Sequence, residues 1–350
     1  MKSIAIVDSR PVTDRDCFVS VQLEHPQPGP RDLVVRVDAV SVNPVDGKIR
    51  RSYEPRSENG TPVPRVLGYD AAGTVEAIGS EVELFSLGRQ VWCAGDITRH
   101  GSNAEYLVVD ERICAPRPAL LSAEDAAGMP LVTITAWEAL FDRMGLASPS
   151  DGMHGLRDAT VLVLGGGGGV ASMAIQLARL GGHHVIAATG RQESADWCRS
   201  LGAHEVISHR DPLRPQLERA GAAGVDAVLI CTRLEDYLPQ MADVLSPQAR
   251  VCSIIGREDG EPVDVSALRS KSISFSWELM FTRPMFATAD MIAQHKLLLA
   301  TSRLVDSGAI HPITSEHLGP MSVDTLRRAH ELIESGTTIG KIVLGPLSRS

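Results

Sequence analysis

A run of five glycines, Gly165–Gly169, constrains the fold of this chain more than any other segment. The residues directly before it, Ala159–Leu164, read ATVLVL and predict a buried β-strand. The residues that follow, Ser172–Leu180, place small and apolar side chains at the spacing of a helix that packs closely on a sheet. A strand, a glycine turn and a helix in this order predict one unit of a parallel α/β sheet.

Part of this run matches the spacing G-x-G-x-x-G/A of dinucleotide-binding loops, through Gly166, Gly168 and Ala171. Small residues at these positions allow a tight turn, a close approach of the backbone to a pyrophosphate, and close contact between helix and strand. The helix N-terminus adds unpaired N–H groups and a positive dipole end. We therefore predict that Gly166, Gly168, Gly169 and Val170 bind the pyrophosphate of a dinucleotide cofactor. The chain has no G-x-x-x-x-G-K-[ST] sequence, which argues against a nucleotide hydrolase.

The segment Ile186–Arg191 (IAATGR) bears on the choice of cofactor. Dinucleotide folds hold the ribose hydroxyls of NAD with an acidic residue about twenty positions after the fingerprint. This segment has no acid and ends in an arginine. Arg191 can pair with a 2′-phosphate, with Thr189 as a second donor, so the pattern favours NADP(H) over NAD(H) and argues against S-adenosylmethionine. The alternative is that Arg191 is simply solvated at the start of the next helix.

Strands and helices alternate over the middle of the chain. This alternation predicts a doubly wound parallel sheet. The segments that read as its strands are Ala159–Leu164, His184–Ala188, His204–Ile207, Val225–Ile230, Ala249–Ile255 and Ser272–Ser276. Helices are predicted at Ala287–Ser307 and Asp324–Ser335, and a last strand at Gly340–Leu344.

The first part of the chain instead has short β-rich runs separated by turn residues, which predicts a partly open β-barrel or sandwich. The runs are Asp32–Asn43, Gly73–Ile78, Arg89–Cys93 and Ala104–Val109. The stretch from Asn43 to Val66 contains several prolines and reads as a loop that could form part of a substrate site. A helix is predicted from Ala123, with Ser122 as its N-cap.

Composition excludes several classes of function. The net charge of -9 argues against a nucleic-acid partner, because such proteins display a basic surface. No apolar run approaches the roughly 18 residues of a membrane span, and the N-terminus lacks the apolar core of a signal peptide. The six cysteines include no C-x-x-C pair and read as buried, reduced thiols. We therefore expect a cytoplasmic protein that acts on small molecules.

Several separated motifs occur together and in order. They are Ser41–Lys48 (SVNPVDGK), Gly68–Val75 (GYDAAGTV), Thr133–Trp137 (TITAW), the glycine run, and Gly340–Leu344 (GKIVL). In these the chain resembles the medium-chain dehydrogenase/reductase superfamily, specifically its quinone oxidoreductase and zinc-type alcohol dehydrogenase-like branch. The resemblance implies an α/β protein with two domains. Residues 1–125 and 300–350 would form a β-rich, GroES-like catalytic domain, and residues 126–299 a Rossmann domain that binds NADP(H).

The zinc members of that superfamily hold a catalytic metal with a cysteine near the position of Asn43 and a histidine in a G-H-E motif. Here that motif reads Gly68–Asp70 (GYD), and the four-cysteine structural zinc lobe is missing. Zinc needs three or four nitrogen, sulfur or oxygen ligands, and Asp46 and Asp70 alone do not supply them. We therefore predict that the protein holds no metal.

Without a Lewis acid, simple alcohols are poor substrates, because zinc members stabilise an alkoxide with the metal. A quinone or an α,β-unsaturated carbonyl spreads the incoming charge and needs only hydrogen-bond donors. The resemblance places Asn43 and Thr135 beside the nicotinamide and leaves Lys48 and Tyr53 as donors to the acceptor oxygen. It also implies Ile255, Gly256 and Lys341 as cofactor-binding residues. The alternatives are a salt bridge for Lys48 and a packed aromatic ring for Tyr53.

Other interpretations stay open. Trp92 and Trp277 could wall the pocket or belong to the core. The aromatic stretch Phe275–Phe281 could line the cleft or form a homodimer contact, since this branch commonly dimerises through that edge strand. The chain could instead act on alcohols or aldehydes, or bind NADPH as a sensor without turnover. Short-chain dehydrogenases are excluded, because none of the tyrosines has a lysine four positions later.

Overall fold

The computed structural model describes residues 1–150, 154–257 and 260–348. They form two compact units, residues 1–131 with 281–350 and residues 132–280. The boundaries expected from sequence lie after residues 125 and 299. Among the described residues, no helix is long and apolar enough to cross a membrane. All six cysteines lie in described segments as free thiols.

The strands of the first half of the chain are β1 (Lys2–Ile6), β2 (Val19–Gln22), β3 (Asp32–Val42), β4 (Ser57–Glu58), β5 (Thr61–Pro62), β6 (Arg65–Val66), β7 (Ala71–Ile78), β8 (Gln90–Cys93), β9 (Tyr106–Asp110) and β10 (Cys114–Pro116). Those of the second half are β11 (Thr160–Leu164), β12 (His184–Thr189), β13 (Glu205–Ser208), β14 (Val225–Ile230), β15 (Leu245–Ser253), β16 (Ser274–Trp277), β17 (Thr314–Met321) and β18 (Lys341–Leu347).

The helices are α1 (Pro44–Ser52), α2 (Ala123–Ala127), α3 (Pro130–Trp137), α4 (Gly169–Leu180), α5 (Gln192–Ser200), α6 (Leu213–Arg219), α7 (Leu234–Val244), α8 (Thr282–Met285), α9 (Ile292–Asp306) and α10 (Val323–Glu334). A π-helical segment, Glu138–Arg143, continues α3.

In the unit formed by both ends of the chain, the main sheet has the order β10-β8-β7-β3-β18-β17, with β9 also paired to β3. Strand β3 lies at its centre, and its apolar residues such as Val35 and Val40 are buried. The last strand of the chain, β18, pairs antiparallel with β3. The C-terminal segment therefore completes the sheet that the N-terminal segment begins. Strands β1, β2 and β6 form a second, smaller sheet.

The other unit contains one parallel sheet with the order β13-β12-β11-β14-β15-β16. Its central strands β11, β12 and β14 are nearly all apolar and buried, as expected when helices cover both faces of a parallel sheet. The strand order reverses between β11 and β14, and ligands of such sheets bind at the carboxyl ends of the strands near this point. The doubly wound α/β prediction is confirmed.

Two expectations about local structure were wrong. The stretch after Asn43 is not a loop throughout, because α1 begins at Pro44 and the short β4–β5 hairpin follows it. Proline suits the first helical position, and the Asp46 carboxylate accepts the N–H of Asn43 at the helix start. The helix after the glycine run also begins earlier than predicted, at Gly169 rather than Ser172. The N-cap of α2, Ser122, is confirmed by its bond from the Asp125 N–H.

Candidate functional site

The register of the central sheet brings four polar residues of distant sequence segments together. Strand β3 pairs Val40 with Ala71 of β7 and Val42 with Ile342 of β18. One position further along these antiparallel strands, Ser41 therefore lies opposite Asp70, and Asn43 lies opposite Lys341. The contact between the motifs therefore follows directly from strand pairing, and all four side chains are buried.

Asp70 is the acceptor at the centre of this cluster. Its Oδ2 atom accepts hydrogen bonds from Ser41 Oγ (2.7 Å), Asn43 Nδ2 (2.8 Å) and Lys341 Nζ (3.1 Å). Its Oδ1 atom accepts the backbone N–H of Leu131 at 2.8 Å. The carboxylate is completely buried, and these bonds compensate for its lost hydration.

The ammonium group of Lys341 is engaged within the same cluster. Besides Asp70, it donates to the Val42 carbonyl at 3.2 Å and to Oδ1 of Asn43. An ammonium group has three N–H donors, so these acceptors use all of them. The predicted cofactor role of Lys341 stays a prediction; in this geometry the residue binds Asn43 and Asp70.

Asp46, the third residue of α1, fixes the backbone on both sides of the cluster. Its carboxylate accepts the N–H of Asn43 at 2.8 Å and the N–H of Gly68 at 3.0 Å. Burial raises the pKa of Asp46 to about 6, and nearby His330, these backbone donors and Lys341 lower it. Desolvation is therefore the dominant effect, and ionisation of Asp46 is costly in the folded protein.

The resemblance to zinc-type dehydrogenases implies a zinc ion at this place, and the residues present do not fit one. At the position of the family's histidine, Tyr69 is completely buried and packs edge-on against Phe281, with ring centroids 5.2 Å apart. The oxygens of Asn43 and Asp70 that could bind a cation already accept the Lys341 ammonium group. Among the described residues, no group of three or more histidine, cysteine or acidic side chains could hold a metal.

The glycine loop lies at the carboxyl end of β11, as its sequence predicts. A Cβ atom on Gly166 would lie 2.8 Å from the Cys198 sulfur and 3.0 Å from Thr189 Cγ2, so only glycine fits there. Gly168 forms the N-cap of α4, and a Cβ atom there would meet only the Gly165 carbonyl, at 3.6 Å. Gly169 and Val170 begin the helix. The loop thus leaves room for a phosphate at a helix N-terminus.

The end of β12 has more basic residues nearby than Arg191, the one predicted from sequence to bind a 2′-phosphate. Thr189 ends the strand, and Arg191 is the N-cap of α5. A Cβ atom on Gly190 would lie 2.1 Å from Nε2 of His209 and 3.2 Å from Nε of Arg210, so both side chains approach the backbone between Thr189 and Arg191. His209 also contacts the Tyr237 hydroxyl through Nδ1 at 2.8 Å.

His209 and Arg210 were missed from the sequence. They directly follow the strand β13, which neighbours β12 in the parallel sheet. Since the carboxyl ends of neighbouring parallel strands meet at one edge, the sequence Ser208-His209-Arg210 after a predicted strand was the available signal. Burial and the neighbouring Arg210 lower the pKa of His209, whereas Asp236 raises it.

The remaining cofactor candidates lie in the same unit as the glycine loop. Ile255 and Gly256 follow the carboxyl end of β15, where Ser253 Oγ donates to the Ile255 carbonyl at 2.8 Å. A Cβ atom on Gly256 would have no neighbour within 4 Å. Thr135 is buried on α3.

The other donor candidates belong to the β-rich unit. Lys48 is exposed on α1. Tyr53 packs against the core, and its hydroxyl donates to the Val63 carbonyl at 3.0 Å. Of the two tryptophans considered as pocket walls, Trp92 is completely buried in β8 of this unit. Trp277 is 47% exposed at the end of β16 in the other.

Comparisons with known proteins place the chain in a family. A profile described as a zinc-binding dehydrogenase matches residues 201–344, and one described as an alcohol dehydrogenase GroES-like domain matches residues 29–119. The zinc-type alcohol dehydrogenase-like protein of Staphylococcus aureus strain MSSA476 is 36% identical over 345 residues, which cover 98% of this chain and 99% of that protein. A chloroplastic quinone-oxidoreductase of Triphysaria versicolor is 33% identical over 215 residues, or 60% of this chain and 62% of that protein.

Solved structures agree with this placement. A Rhizobium etli CFN 42 protein named for zinc-dependent alcohol dehydrogenases superposes with a TM-score of 0.92 at 41% identity, covering 99% of this chain and 98% of that one. Mycobacterial Rv1454c, solved with NADPH, superposes with a TM-score of 0.79 at 25% identity. The match covers 99% of this chain and 100% of the mycobacterial chain. The GroES-like and Rossmann assignments are therefore confirmed.

Proposed function

The chain belongs to the medium-chain dehydrogenase/reductase superfamily, among its zinc-type alcohol dehydrogenase-like members, and we propose that it is an NADPH-dependent, zinc-independent reductase of quinones or α,β-unsaturated carbonyls. An oxidoreductase of this superfamily transfers a hydride between a nicotinamide cofactor and a small molecule. The proposal concerns the acceptor, the choice of NADPH, and the lack of a metal.

The observation that carries the proposal is the Asn43–Asp70–Lys341 cluster. It contains hydrogen-bond donors and one buried ion pair in the place where zinc members assemble metal ligands. Hydrogen bonds alone stabilise an enolate or a hydroquinone better than an alkoxide, because conjugation spreads the negative charge. A conjugated acceptor is therefore the substrate class that this donor set suits.

The basic end of β12 supports NADPH. The side chains of His209 and Arg210 approach Gly190, and the residue after it, Arg191, stands where NAD-binding folds carry an acid. A guanidinium can form paired, charge-assisted bonds to a 2′-phosphate. The NADPH-bound mycobacterial relative has the same fold. When bound, NADPH supplies the hydride, and the glycine loop and α4 would hold its pyrophosphate.

The roles of the reactive-site residues follow from their donors. Asn43 Nδ2 donates to Asp70 at 2.8 Å and also to the Tyr69 carbonyl, at the longer distance of 3.4 Å. The second bond is weak, so we assign Asn43 to exchange it for a substrate carbonyl or the cofactor carboxamide. Thr135 is assigned to fix the nicotinamide ring. Lys48 and Tyr53 remain proposed donors to the acceptor oxygen, and Tyr53 would have to release Val63 to act so.

The names of the relatives favour a second candidate, oxidation of alcohols with zinc. One assay separates the two. The purified protein is treated with a chelator and mixed with NADPH and a panel of quinones, enones and aldehydes. Turnover of a quinone or enone at an unchanged rate supports the proposal. Turnover restored only by zinc supports the alternative, and no turnover with any acceptor supports an NADPH-binding sensor.

We also propose that the chain forms a homodimer in the cytoplasm. Strand β16 lies at an edge of its sheet, and the large apolar side chains of Trp277 and Leu279 at its end are 47% and 48% exposed. Such an edge would be covered by a second copy of the chain. Light scattering should give twice the chain mass, and Trp277→Glu should shift it to that of a monomer.

A further inference from the structure

Two neighbouring glutamates are completely buried in the unit formed by residues 132–280. The proposed function assigns them no role. Glu138 begins the π-helical segment, and Glu278 follows strand β16 directly. The carboxyl group of Glu138 lies close enough to raise the pKa of Glu278. The guanidinium of Arg143 reaches both, with Nε at 2.8 Å from Glu278 Oε2 and a terminal nitrogen at 3.8 Å from Glu138 Oε2.

The charges of this triad balance only if one carboxyl group is protonated. Two carboxylates and one guanidinium would leave a net negative charge in a buried place, which is costly. Moreover, no N–H or O–H of the described residues donates to Oε1 of Glu278. A proton between the two carboxyl groups satisfies this oxygen and removes the repulsion. Burial and the Glu138 carboxylate raise the pKa of Glu278 to about 9, whereas Arg143 lowers it.

The elements packed around the triad add few competing charges. Strand β15 contributes Cys252, whose thiol is influenced electrostatically by both Glu278 and Arg143. Burial raises the pKa of that thiol to about 12. The same strand carries Arg250, whose guanidinium donates to the carbonyls of Met144 and Gly145, and the π-helical segment also carries Asp142. As the pH rises, Glu278, with its pKa raised to about 9, therefore loses a proton before the Cys252 thiol does.

The triad joins the two pieces of backbone that carry proposed nicotinamide contacts. Glu138 lies three residues after Thr135 on a continuous helix, so the side chains occupy neighbouring turns. The N–H of Glu278 donates to the Ser253 carbonyl at 3.0 Å, just before Ile255 and Gly256. The wide turn of a π-helix is often found at functional sites.

We propose that Glu138 and Glu278 share one proton and act, with Arg143, as positioning residues that hold Thr135 and the Ile255–Gly256 segment in place for the nicotinamide end of the cofactor. The inference rests on the proposed NADPH function. When the proton leaves, the two carboxylates repel, the helix and the end of β15 separate, and the nicotinamide loses its contacts. The adenosine end, bound at β12, keeps its contacts.

The test compares two probes on the whole protein. Dissociation constants for NADPH and for adenosine 2′,5′-bisphosphate, which lacks the nicotinamide, are measured by calorimetry from about pH 7 to about pH 10.5. Below this range His209 begins to titrate, and within it the 2′-phosphate keeps its charge. We expect NADPH binding to weaken roughly tenfold per pH unit once the pair has lost its proton, while binding of the bisphosphate changes less than about twofold.

Two variants and a control sharpen the comparison. Glu278→Gln keeps a neutral group that can donate to Glu138, so it should bind NADPH like the native protein at pH 7 and lose the alkaline weakening. Glu278→Ala removes the partner of Arg143 and should weaken NADPH binding at every pH. Glu218→Gln changes an exposed glutamate of α6 that pairs with Arg214, and it should keep the native profile.

Infrared spectroscopy provides an independent measure, because a buried protonated carboxyl group has a C=O stretching band that a carboxylate lacks. That band should be present in the native protein at pH 8 and absent from Glu278→Gln. The inference is overturned if the band is missing, if NADPH and the bisphosphate weaken in parallel, or if Glu278→Gln keeps the native profile. Failure of NADPH to bind at pH 7 would refute the proposed function instead, and the infrared band would still test the shared proton.

Discussion

Nζ of Lys341 lies 3.1 Å from Oδ2 of Asp70, although 271 residues separate them in the sequence. Both side chains are buried, with 3% and 0% exposure. The pairing of β7 and β18 with β3 produces this contact, so the ion pair ties the last strand of the chain to the segment that carries Tyr69. The same ammonium group also orients Asn43.

Replacing Lys341 by methionine should therefore destabilise the protein strongly. The change leaves the Asp70 carboxylate buried without its counter-charge, which costs about 3–5 kcal/mol in comparable cases. Urea unfolding measures the loss. Lys296→Met, at an exposed position on α9, is the matched control and should change stability by less than about 0.5 kcal/mol.

The double variant Asp70→Asn/Lys341→Met tests the reason for that loss. It removes the uncompensated charge, so it should be more stable than Lys341→Met alone. Equal stability of the two variants, or a native-like Lys341→Met protein, would show that the ion pair does not hold the cluster together.

Arg191 should discriminate between the two nicotinamide cofactors. A hydrogen bond to a charged group contributes about 1.5–3 kcal/mol, so Arg191→Ala should weaken NADPH binding by roughly 10- to 100-fold. NADH binding should change little, since NADH has no 2′-phosphate. Arg199→Ala, on the same helix and paired with Asp196, is the control and should leave both affinities unchanged. Equal losses of NADPH and NADH in Arg191→Ala would refute the 2′-phosphate assignment.

Asp46 should make stability fall as the pH rises through about 6. Its pKa is raised to about 6 from 3.8, so between these values the folded protein binds more protons than the unfolded chain. The stabilisation is complete below the pKa of the unfolded chain and is lost above the pKa of the folded protein. It amounts to about 3 kcal/mol in total. Carboxyl groups with a lowered pKa have the opposite effect on the pH dependence of stability. For example, the pKa of Glu334 is lowered to about 2, mainly by His330 and Arg50.

The difference between the native protein and Asp46→Asn isolates this contribution. Urea unfolding from about pH 4 to about pH 8 should show the stability advantage of the native protein over the variant shrinking with rising pH. A constant difference over that range would mean that Asp46 is not desolvated as its burial indicates.

The purified protein should contain no stoichiometric zinc. The prediction follows from the donor set, in which Tyr69 is packed in the core and Lys341 binds the oxygens of Asn43 and Asp70. Elemental analysis after expression with added zinc measures the content, and activity should survive treatment with a chelator. One zinc per chain that is required for turnover would contradict the account.

The sequence predicted the Rossmann unit well because its signals are local. The apolar strand Ala159–Leu164 and the glycine run after it specify a strand, a turn and a helix within about twenty residues. Strand Val225–Ile230 was predicted with its observed bounds. Strand β17 was not predicted, because Thr314–Met321 contains Gly319 and Pro320 and is largely exposed, so it lacks an alternating apolar pattern.

The site was harder to predict because its contacts depend on strand register. The motifs around Asn43, Asp70 and Lys341 were visible, but nothing in the sequence indicated that the lysine binds the other two side chains. That contact arises from the antiparallel pairing of β18 with β3. Likewise, Glu278 approaches Glu138 because β16 pairs with β15 and both strands contact the π-helical segment, whereas the sequence alone suggests two exposed acids.

The transfer of deuterium from NADPH labelled at C4 of the nicotinamide tests the central claim most directly. The native protein is incubated with the labelled cofactor and an α,β-unsaturated ketone in the presence of a chelator, and the product is analysed by mass spectrometry and NMR. The account predicts a saturated ketone with deuterium on the β-carbon. An unsaturated alcohol with deuterium on the former carbonyl carbon would contradict it and assign alcohol dehydrogenase chemistry instead.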